Sequence, residues 1–185
     1  MRLSLFSDYS LRVLLFGAVK GGAFPLHEVA DAYNISRHHL VKVVNNLTKQ
    51  GYLATRRGRG GGIILAMNPE DIMIGRLVRK TETSAPLVEC FDSISNTCPI
   101  HSCCGLKGAL AQAVGAFYST LDRYTLKDIL DRQNVQAMKD ILLAPKPART
   151  PSVAEEDLPD DLLTDDLTSD LLVDEEAELT PALPG

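Results

Sequence analysis

All four cysteines of the chain, Cys90, Cys98, Cys103 and Cys104, fall within 15 consecutive positions. A fold that accepts this sequence must carry a thiol-rich loop between the segment before it and the segment after it. Charge divides the chain a second time. Residues 1–144 hold 17 Lys and Arg against 12 Asp and Glu, a net of +5, while residues 145–185 hold 2 against 12, a net of −10. The overall charge of −5 thus reflects the last 41 residues and hides a basic body. Asymmetry of this kind points to a nucleic-acid partner for the body.

No apolar run approaches the roughly 18 residues that a membrane span needs, so no membrane partner is expected. The apolar patch Val13-Leu-Leu-Phe-Gly-Ala-Val19 follows Asp8 and Arg12 closely, and no Ala-x-Ala type of cleavage site comes after it. A signal peptide is therefore not expected, and the expected location is the cytoplasm. In that reducing setting, clustered cysteines more often bind metal than form structural disulfides.

Residues 7–20 read as a first helix, with Leu11, Leu14, Leu15 and Ala18 at helical spacing and Gly21-Gly22 as its stop. Asp8 stands where an N-cap would. Pro25 opens a short helix from Leu26 to about Tyr33, Asn34-Ile35 breaks it, and Ser36 caps a second helix that runs to about Gln50 and stops at Gly51. Two short helices joined so tightly suggest a helix-turn-helix.

The second of these helices has two faces. Leu40, Val43, Val44 and Leu47 make an apolar stripe, with His38, Lys42, Asn45 and Lys49 opposite it. Polar stripes are usually solvated surface, but the charge pattern favours DNA. From Ala32 to Pro69 there is no acidic residue, while Arg37, Lys42, Lys49, Arg56, Arg57 and Arg59 all occur. Ordinary surfaces mix both signs. Ser36, Arg37, His38, His39, Lys42, Asn45 and Lys49 are the candidate groove contacts, since Asn pairs with adenine edges and Lys with guanine or phosphate.

Strand-like residues between Tyr52 and Leu65 flank a Gly/Arg tip, which predicts a β-hairpin. Behind a helix-turn-helix such a hairpin is a wing, and Arg56, Arg57 and Arg59 are placed to reach a minor groove or phosphates. The competing reading, a nucleotide-phosphate loop, is weak: no Gly-Lys-Ser/Thr follows the glycines, and a strand rather than a helix comes after them. Asn68-Pro69-Glu70 opens a further helix to about Lys80.

From Gly105 onward, Leu106, Leu110, Ala113, Phe117 and Leu121 form a stripe with coiled-coil spacing, which predicts a helix that pairs two subunits. Thr125 caps a short helix through Leu130, with Asp128 at its third position. The tail from Pro145 has six prolines, twelve acids and no aromatics, a composition expected to stay unfolded. The alternative is a short acidic helix that contacts a partner or the chain's own basic wing.

The cysteine spacing leaves three chemistries open. Seven residues separate Cys90 from Cys98 and five separate Cys98 from Cys104. Structural zinc sites favour cysteines two to four residues apart, and these wider gaps fit a larger cluster better. Zinc and a redox disulfide switch remain alternatives. His101 is a lone loop histidine, and the adjacent Cys103 and Cys104 are not expected to bind one iron together. No nucleophile–base pair or cofactor loop emerges, so no enzymatic activity is expected.

Several motifs together resemble a bacterial winged-helix family of regulators that includes the iron–sulfur proteins IscR and RirA, and within it the nitric-oxide-sensing repressors. They are Phe6-Ser-Asp8-Tyr9-Ser-Leu11-Arg12-Val13-Leu14, Ile35-Ser-Arg-His-His-Leu40-Val-Lys42-Val43 and Arg57-Gly-Arg-Gly-Gly-Gly62-Ile63. Pro69-Glu-Asp-Ile72, Val88-Glu-Cys90-Phe-Asp, Cys98-Pro-Ile and Cys104-Gly-Leu-Lys107 continue the match, which covers about residues 1–132.

The resemblance implies that Cys90, Cys98 and Cys104 hold an iron–sulfur cluster, 4Fe–4S in preference to 2Fe–2S. It implies that Asp8 is a fourth ligand given by the partner subunit, with Arg12 nearby. Cys103 departs from the family pattern and is an accessory candidate. The histidine that IscR-type proteins place three residues after the third cysteine is replaced by Lys107, which argues against an IscR reading.

The expected fold class is mainly α with a small β-hairpin wing. Residues 1–82 form a winged helix-turn-helix domain, 83–104 a cluster-binding loop, 105–144 a dimerisation helix and a C-terminal helix, and 145–185 an acidic tail. The expected function is a homodimeric repressor that binds a palindromic duplex operator and releases it on meeting nitric oxide. The alternatives are a RirA-like iron-responsive regulator and a redox- or zinc-stabilised DNA-binding module.

Overall fold

The computed structural model describes residues 2–82 and 86–144. The acidic tail, and with it the expectation that it stays unfolded, lies outside the described residues.

Helix α1 (Leu5–Lys20) is held at both ends by its own sequence. Ser4, not Asp8, is its N-cap: the Ser4 side chain accepts from the Ser7 N–H at 3.1 Å. Asp8 lies one turn inside the helix, where its charge still meets the positive end of the helix dipole. Gly21 ends the helix in the left-handed conformation at φ 68°. Helix α2 (Leu26–Tyr33) ends on Asn34 at φ 56°, and the Ser36 hydroxyl then caps α3 (Arg37–Lys49). The tight helix-turn-helix expected from the sequence is present.

Strands β1 (Leu53–Arg56) and β2 (Gly62–Leu65) pair antiparallel, with Leu53 opposite Leu65 and Arg56 opposite Gly62. Phe24 adds a bridge to the outer side of β2, exchanging backbone hydrogen bonds of 2.9 and 2.8 Å with Ile63. Gly62 makes this approach possible. Its φ is 150°, and a Cβ there would sit 2.6 Å from the Phe24 carbonyl oxygen. The wing is thus sewn to the loop that joins α1 and α2.

The core lies among α1, α2, α3, the hairpin and helix α4 (Ile74–Thr81). Val13, Leu14, Phe16, Phe24, Leu40, Val43, Leu47, Leu53, Ile72 and Leu77 are all buried in it. Each fully buried aliphatic side chain contributes about 1.5–3 kcal/mol relative to exposure, so the α3 stripe alone fixes how that helix is seated.

One expected helix divides. The segment from Asn68 to Lys80 forms a 3-10 turn at Pro69–Asp71, an extended break at Ile72–Met73, and only then α4. The cause is long-range pairing. Met73 bridges Thr125, the Ile74 N–H donates to Tyr124 O at 3.0 Å, and the Leu126 N–H donates to Ile72 O at 2.9 Å. These backbone groups serve a segment some 50 positions away and cannot also serve a helix.

Helix α5 (Gly105–Leu121) occupies the expected span, yet none of its 17 residues is buried. Tyr118 and Leu121 near its C-terminus pack on the core, while Leu106 at the opposite end is 65% exposed. Thr125 and Asp128 form the expected capping box of α6 (Leu126–Ile129). A further helix, α7 (Arg132–Leu142), packs across α1 and α2, beyond the short helix expected to end at Leu130.

Candidate nucleic-acid interface and cysteine loop

The apolar stripe of α3 turns its other face outward. Arg37, His38, Asn45 and Lys49 are exposed, and Ser36, His39 and Lys42 are half-buried. The Ser36 hydroxyl accepts from the His38 N–H at 3.3 Å, so it serves first as a cap. With it the first turn of α3 presents backbone N–H groups and the positive end of its dipole on the basic side, which suits a phosphate.

The neighbouring histidine rings meet edge to face, with centroids 6.2 Å apart. His38 points to solvent, whereas the His39 ring stacks on Tyr9 of α1 with centroids 6.3 Å apart and planes at 28°. Tyr9 in turn lies beside Arg12, whose guanidinium sits 5.9 Å from the Tyr9 ring and 5.7 Å from the Tyr33 ring. Arg12 holds Asp8 through two contacts, Nε to Oδ1 at 3.0 Å and Nη2 to Oδ2 at 2.7 Å. A continuous chain of contacts therefore runs from Asp8 through Arg12 and Tyr9 to α3. Tyr9 and Tyr33 were not singled out by the sequence reading. Their signal is the spacing of aromatic residues one turn from Arg12 and on the last turn of α2. Burial pushes the Tyr33 hydroxyl above its ordinary pKa, opposed by Arg12 and reinforced by Asp8.

At the wing, Arg56 closes β1 and Arg57 and Arg59 occupy the tip, all three exposed. The Arg56 guanidinium donates to Gly60 O at 3.4 Å, and the Gly61 N–H donates to Gly58 O at 2.9 Å, which closes the tip. Among the described residues, Arg37, Lys49, Arg57 and Arg59 meet no carboxylate. The α3 face and the wing tip therefore present these four cations without a compensating carboxylate among the described residues.

The cysteine loop is built differently, from local polar turns. Cys90 lies in a 3-10 turn (Glu89–Phe91), and Cys104 is the N-cap residue of α5 without making a side-chain cap bond. Glu89 ties the two halves together: its carboxylate accepts from the Thr97 N–H and from the Thr97 hydroxyl, the latter at 2.7 Å. That link brings the turn carrying Cys90 back beside Cys98. Asp92 accepts from the Ser95 hydroxyl and the Ile94 N–H, and Asn96 accepts from the Cys98 N–H at 3.1 Å. These hydrogen bonds hold the Glu89 and Asp92 carboxyls below their ordinary pKa.

All four thiols are free; Cys90, Cys98 and Cys104 are half-buried and Cys103 is exposed, with its Sγ 3.5 Å from Ile100 O. His101 turns its Nδ1 to Cys98 O at 3.1 Å, which occupies that nitrogen locally. Among the described residues, no three His, Cys, Asp or Glu side chains stand together as a metal-holding group. The donor chemistry nonetheless fits an iron–sulfur group: three free thiols in a loop with no buried residue among those described, which can close without breaking a core. Ile94, 94% exposed at the middle of that loop, is further apolar surface with nothing packed on it.

The Rrf2 family profile, described as an iron-dependent transcriptional regulator, matches residues 3–132. The chain is 49% identical over 132 residues to the HTH-type transcriptional regulator NsrR of Bacillus subtilis strain 168, a match covering 70% of this chain and 90% of the relative. Among solved structures it is similar to the oxidised form of CymR from Staphylococcus aureus, with a TM-score of 0.56 and 26% identity over 71% of this chain and 97% of that one. IscR from T. potens gives a TM-score of 0.54 and 25% identity, covering 70% of this chain and 86% of the other. No helix among the described residues is long and apolar enough to cross a membrane. The exposed cationic face of α3, the arginine-tipped wing and these likenesses converge: the chain belongs to the Rrf2 family and is a DNA-binding transcriptional regulator.

Proposed function

We propose that the chain is a cytoplasmic, homodimeric repressor that senses nitric oxide through an iron–sulfur cluster. The observation that carries this reading is the loop of three free, half-buried thiols, Cys90, Cys98 and Cys104, set between the winged helix and a helix that buries none of its residues. The organisation follows the division into residues 1–82, 83–104, 105–144 and 145–185. Cys90, Cys98 and Cys104 would hold a 4Fe–4S group, with Asp8 of the opposite subunit as a fourth donor and Cys103 as an accessory. When bound, the cluster supplies iron that reacts with nitric oxide and with it a ligand set that the gas can alter.

The chain's own residues make that change felt at DNA. Both oxygens of Asp8 are held by Arg12. Were Asp8 to give an oxygen to iron, its hold on Arg12 would loosen, and the guanidinium would keep the Tyr9 and Tyr33 rings as neighbours. Tyr9 touches His39 on α3, so the state of Asp8 bears on the seating of the recognition helix. Arg37, His38, Lys42, Asn45 and Lys49 would read or clasp the major groove, with Arg56, Arg57 and Arg59 at the flanking backbone. The exposed apolar start of α5 would pair with its copy, setting two recognition helices about one helical turn of DNA apart.

The family's description as iron-dependent supports a second reading, in which iron shortage rather than nitric oxide empties the site. Anaerobic protein titrated with nitric oxide, with absorbance and DNA binding followed in the same samples, separates the two. Release at a few equivalents, with chelators acting far more slowly, is the expected result. Release by chelator with indifference to low nitric oxide establishes the second reading, and iron-free, colourless protein purified without air overturns both.

A further inference from the structure

We propose that the acidic segment 145–185 docks on the chain's own α3–wing surface and competes there with nucleic-acid phosphates. The inference rests on that surface being the DNA site. Charge is the first argument. Twelve acids against two bases occupy residues 145–185, while residues 32–69 contain no acid and six Lys and Arg. Of those six cations, Arg37, Lys49, Arg57 and Arg59 meet no carboxylate among the described residues.

The point of departure is the second argument. Helix α7 packs on α1 and α2, and Leu142, Leu143 and Ala144 line a pocket with Phe16, Lys20 and His27. The segment therefore leaves the body beside the first helix of the helix-turn-helix. The random-coil reference span for 41 residues is about 35 Å, comparable to the width of a domain this size. No long excursion is needed to reach α3. Tethered at that range, the carboxylates face the basic surface at an effective concentration on the order of millimolar.

Side-chain chemistry matches beyond charge. The acids are interleaved with leucines, as in Asp161-Leu-Leu and Asp170-Leu-Leu. On the outward side of α3 stands Val41, 45% exposed, the apolar point on an otherwise polar face. The family match ends at residue 132, and a 132-residue match already covers 90% of the Bacillus subtilis relative. The acidic run is therefore an addition to a body that already spans the family, which suits a modulator of the surface rather than a part of it.

Such a competitor imitates phosphate charge but not base edges. Binding to arbitrary sequence is nearly all phosphate contact, whereas an operator also offers the hydrogen bonds that Asn45 reads. Docking therefore suppresses binding to arbitrary DNA more than binding to the operator.

The test compares the full chain with a full-length variant in which all twelve tail acids are changed, Asp→Asn and Glu→Gln. Affinity for a 30-base-pair duplex of arbitrary sequence is measured across salt, and zero-length carbodiimide cross-links are mapped with and without that duplex. The expected result is about tenfold tighter binding by the variant at 0.05 M salt, a gap that closes as screening shortens. Cross-links from tail carboxylates to Lys42 or Lys49 should form in the unmodified chain and vanish when duplex is added. Equal affinities overturn the proposal. Tighter binding without those cross-links reflects net charge alone and overturns it too. Cross-links that form but persist under saturating duplex leave the tail docked and place DNA elsewhere, which overturns the competition and the DNA-surface reading together.

Discussion

Arg79 and Asp122 meet through two parallel hydrogen bonds of 2.6 Å, Nη1 to Oδ1 and Nη2 to Oδ2, across 43 positions of sequence. The same guanidinium lies 4.7 Å over the ring of Tyr118. Together they fasten the C-terminal end of α5 to α4, and so to the winged helix.

This clamp is sensitive to acid. Its hydrogen bonds to Arg79 hold the Asp122 carboxyl below its ordinary pKa, reinforced by the charges of Arg79 and Arg76 and opposed by desolvation. A group depressed in the folded chain stabilises it above the unfolded pKa, and that stabilisation is lost as pH falls through the folded value. Asp122→Asn should therefore lower the melting temperature at neutral pH, and the gap to the unmodified chain should narrow below about pH 4. Thermal melts of both proteins between pH 7 and 3 test this; a gap independent of pH would falsify it.

Gly75 faces the same clamp. A Cβ there would fall 2.1 Å from Asp122 Oδ1 and 2.8 Å from the Asp122 backbone nitrogen. The side chain could turn away only by giving up Arg79, and the backbone cannot turn at all. Gly75→Ala should cost about 1–3 kcal/mol, as overpacking does, measured as a lower denaturant midpoint.

Iron retention sorts the cysteines. Cys90→Ser, Cys98→Ser and Cys104→Ser should each lose most iron and sulfide after anaerobic reconstitution, while Cys103→Ser keeps them. Asp8→Ala should keep much of its iron yet release DNA differently on exposure to nitric oxide. Identical release by Asp8→Ala and the unmodified chain would remove Asp8 from the coupling.

Two substitutions at the DNA surface should behave in opposite ways. Arg57→Ala should weaken every duplex alike and reduce the log–log salt slope by about 1. Asn45→Ala should cost about 1–3 kcal/mol on the operator with little change on arbitrary sequence. Binding isotherms on both duplexes at several salt concentrations separate the two roles.

Leu106→Glu should yield monomers by sedimentation with an unchanged circular-dichroism spectrum, since Leu106 is exposed in the single chain. Its dimer would place two carboxylates in an apolar seam. A lower melting temperature without dissociation would assign Leu106 to the subunit's own packing instead.

The sequence was most legible where local signals agreed. Ser36 as a cap, the stripe of Leu40, Val43, Val44 and Leu47, and the glycine-rich tip of the wing each combine a local preference with the fold's demand. Reading failed where distant partners decide. Ile72, Leu77 and Val78 have helical spacing, yet the backbone at Ile72 and Ile74 is taken by Leu126 and Tyr124. Asp8 was a plausible cap because nothing nearby reveals that Ser4 is anchored by Glu82, through bonds of 2.9 and 3.1 Å across 78 positions. At the cysteine loop, the clustering of four thiols was legible in the sequence. Their arrangement was not, because a loop without buried residues carries no hydrophobic pattern to read.

The stitch between Met73 and Thr125 has a mechanical consequence. It pins the chain just beyond the C-terminus of α5, while the N-terminus of that helix, where Cys104 sits, is held by nothing buried. Seventeen residues of α-helix make a rod about 25 Å long. A rod held at one end magnifies small tilts: about 5° at its foot sweeps its tip through ~2 Å. The firmness of the Arg79–Asp122 clamp therefore sets how far the Cys104 end of the rod can stray.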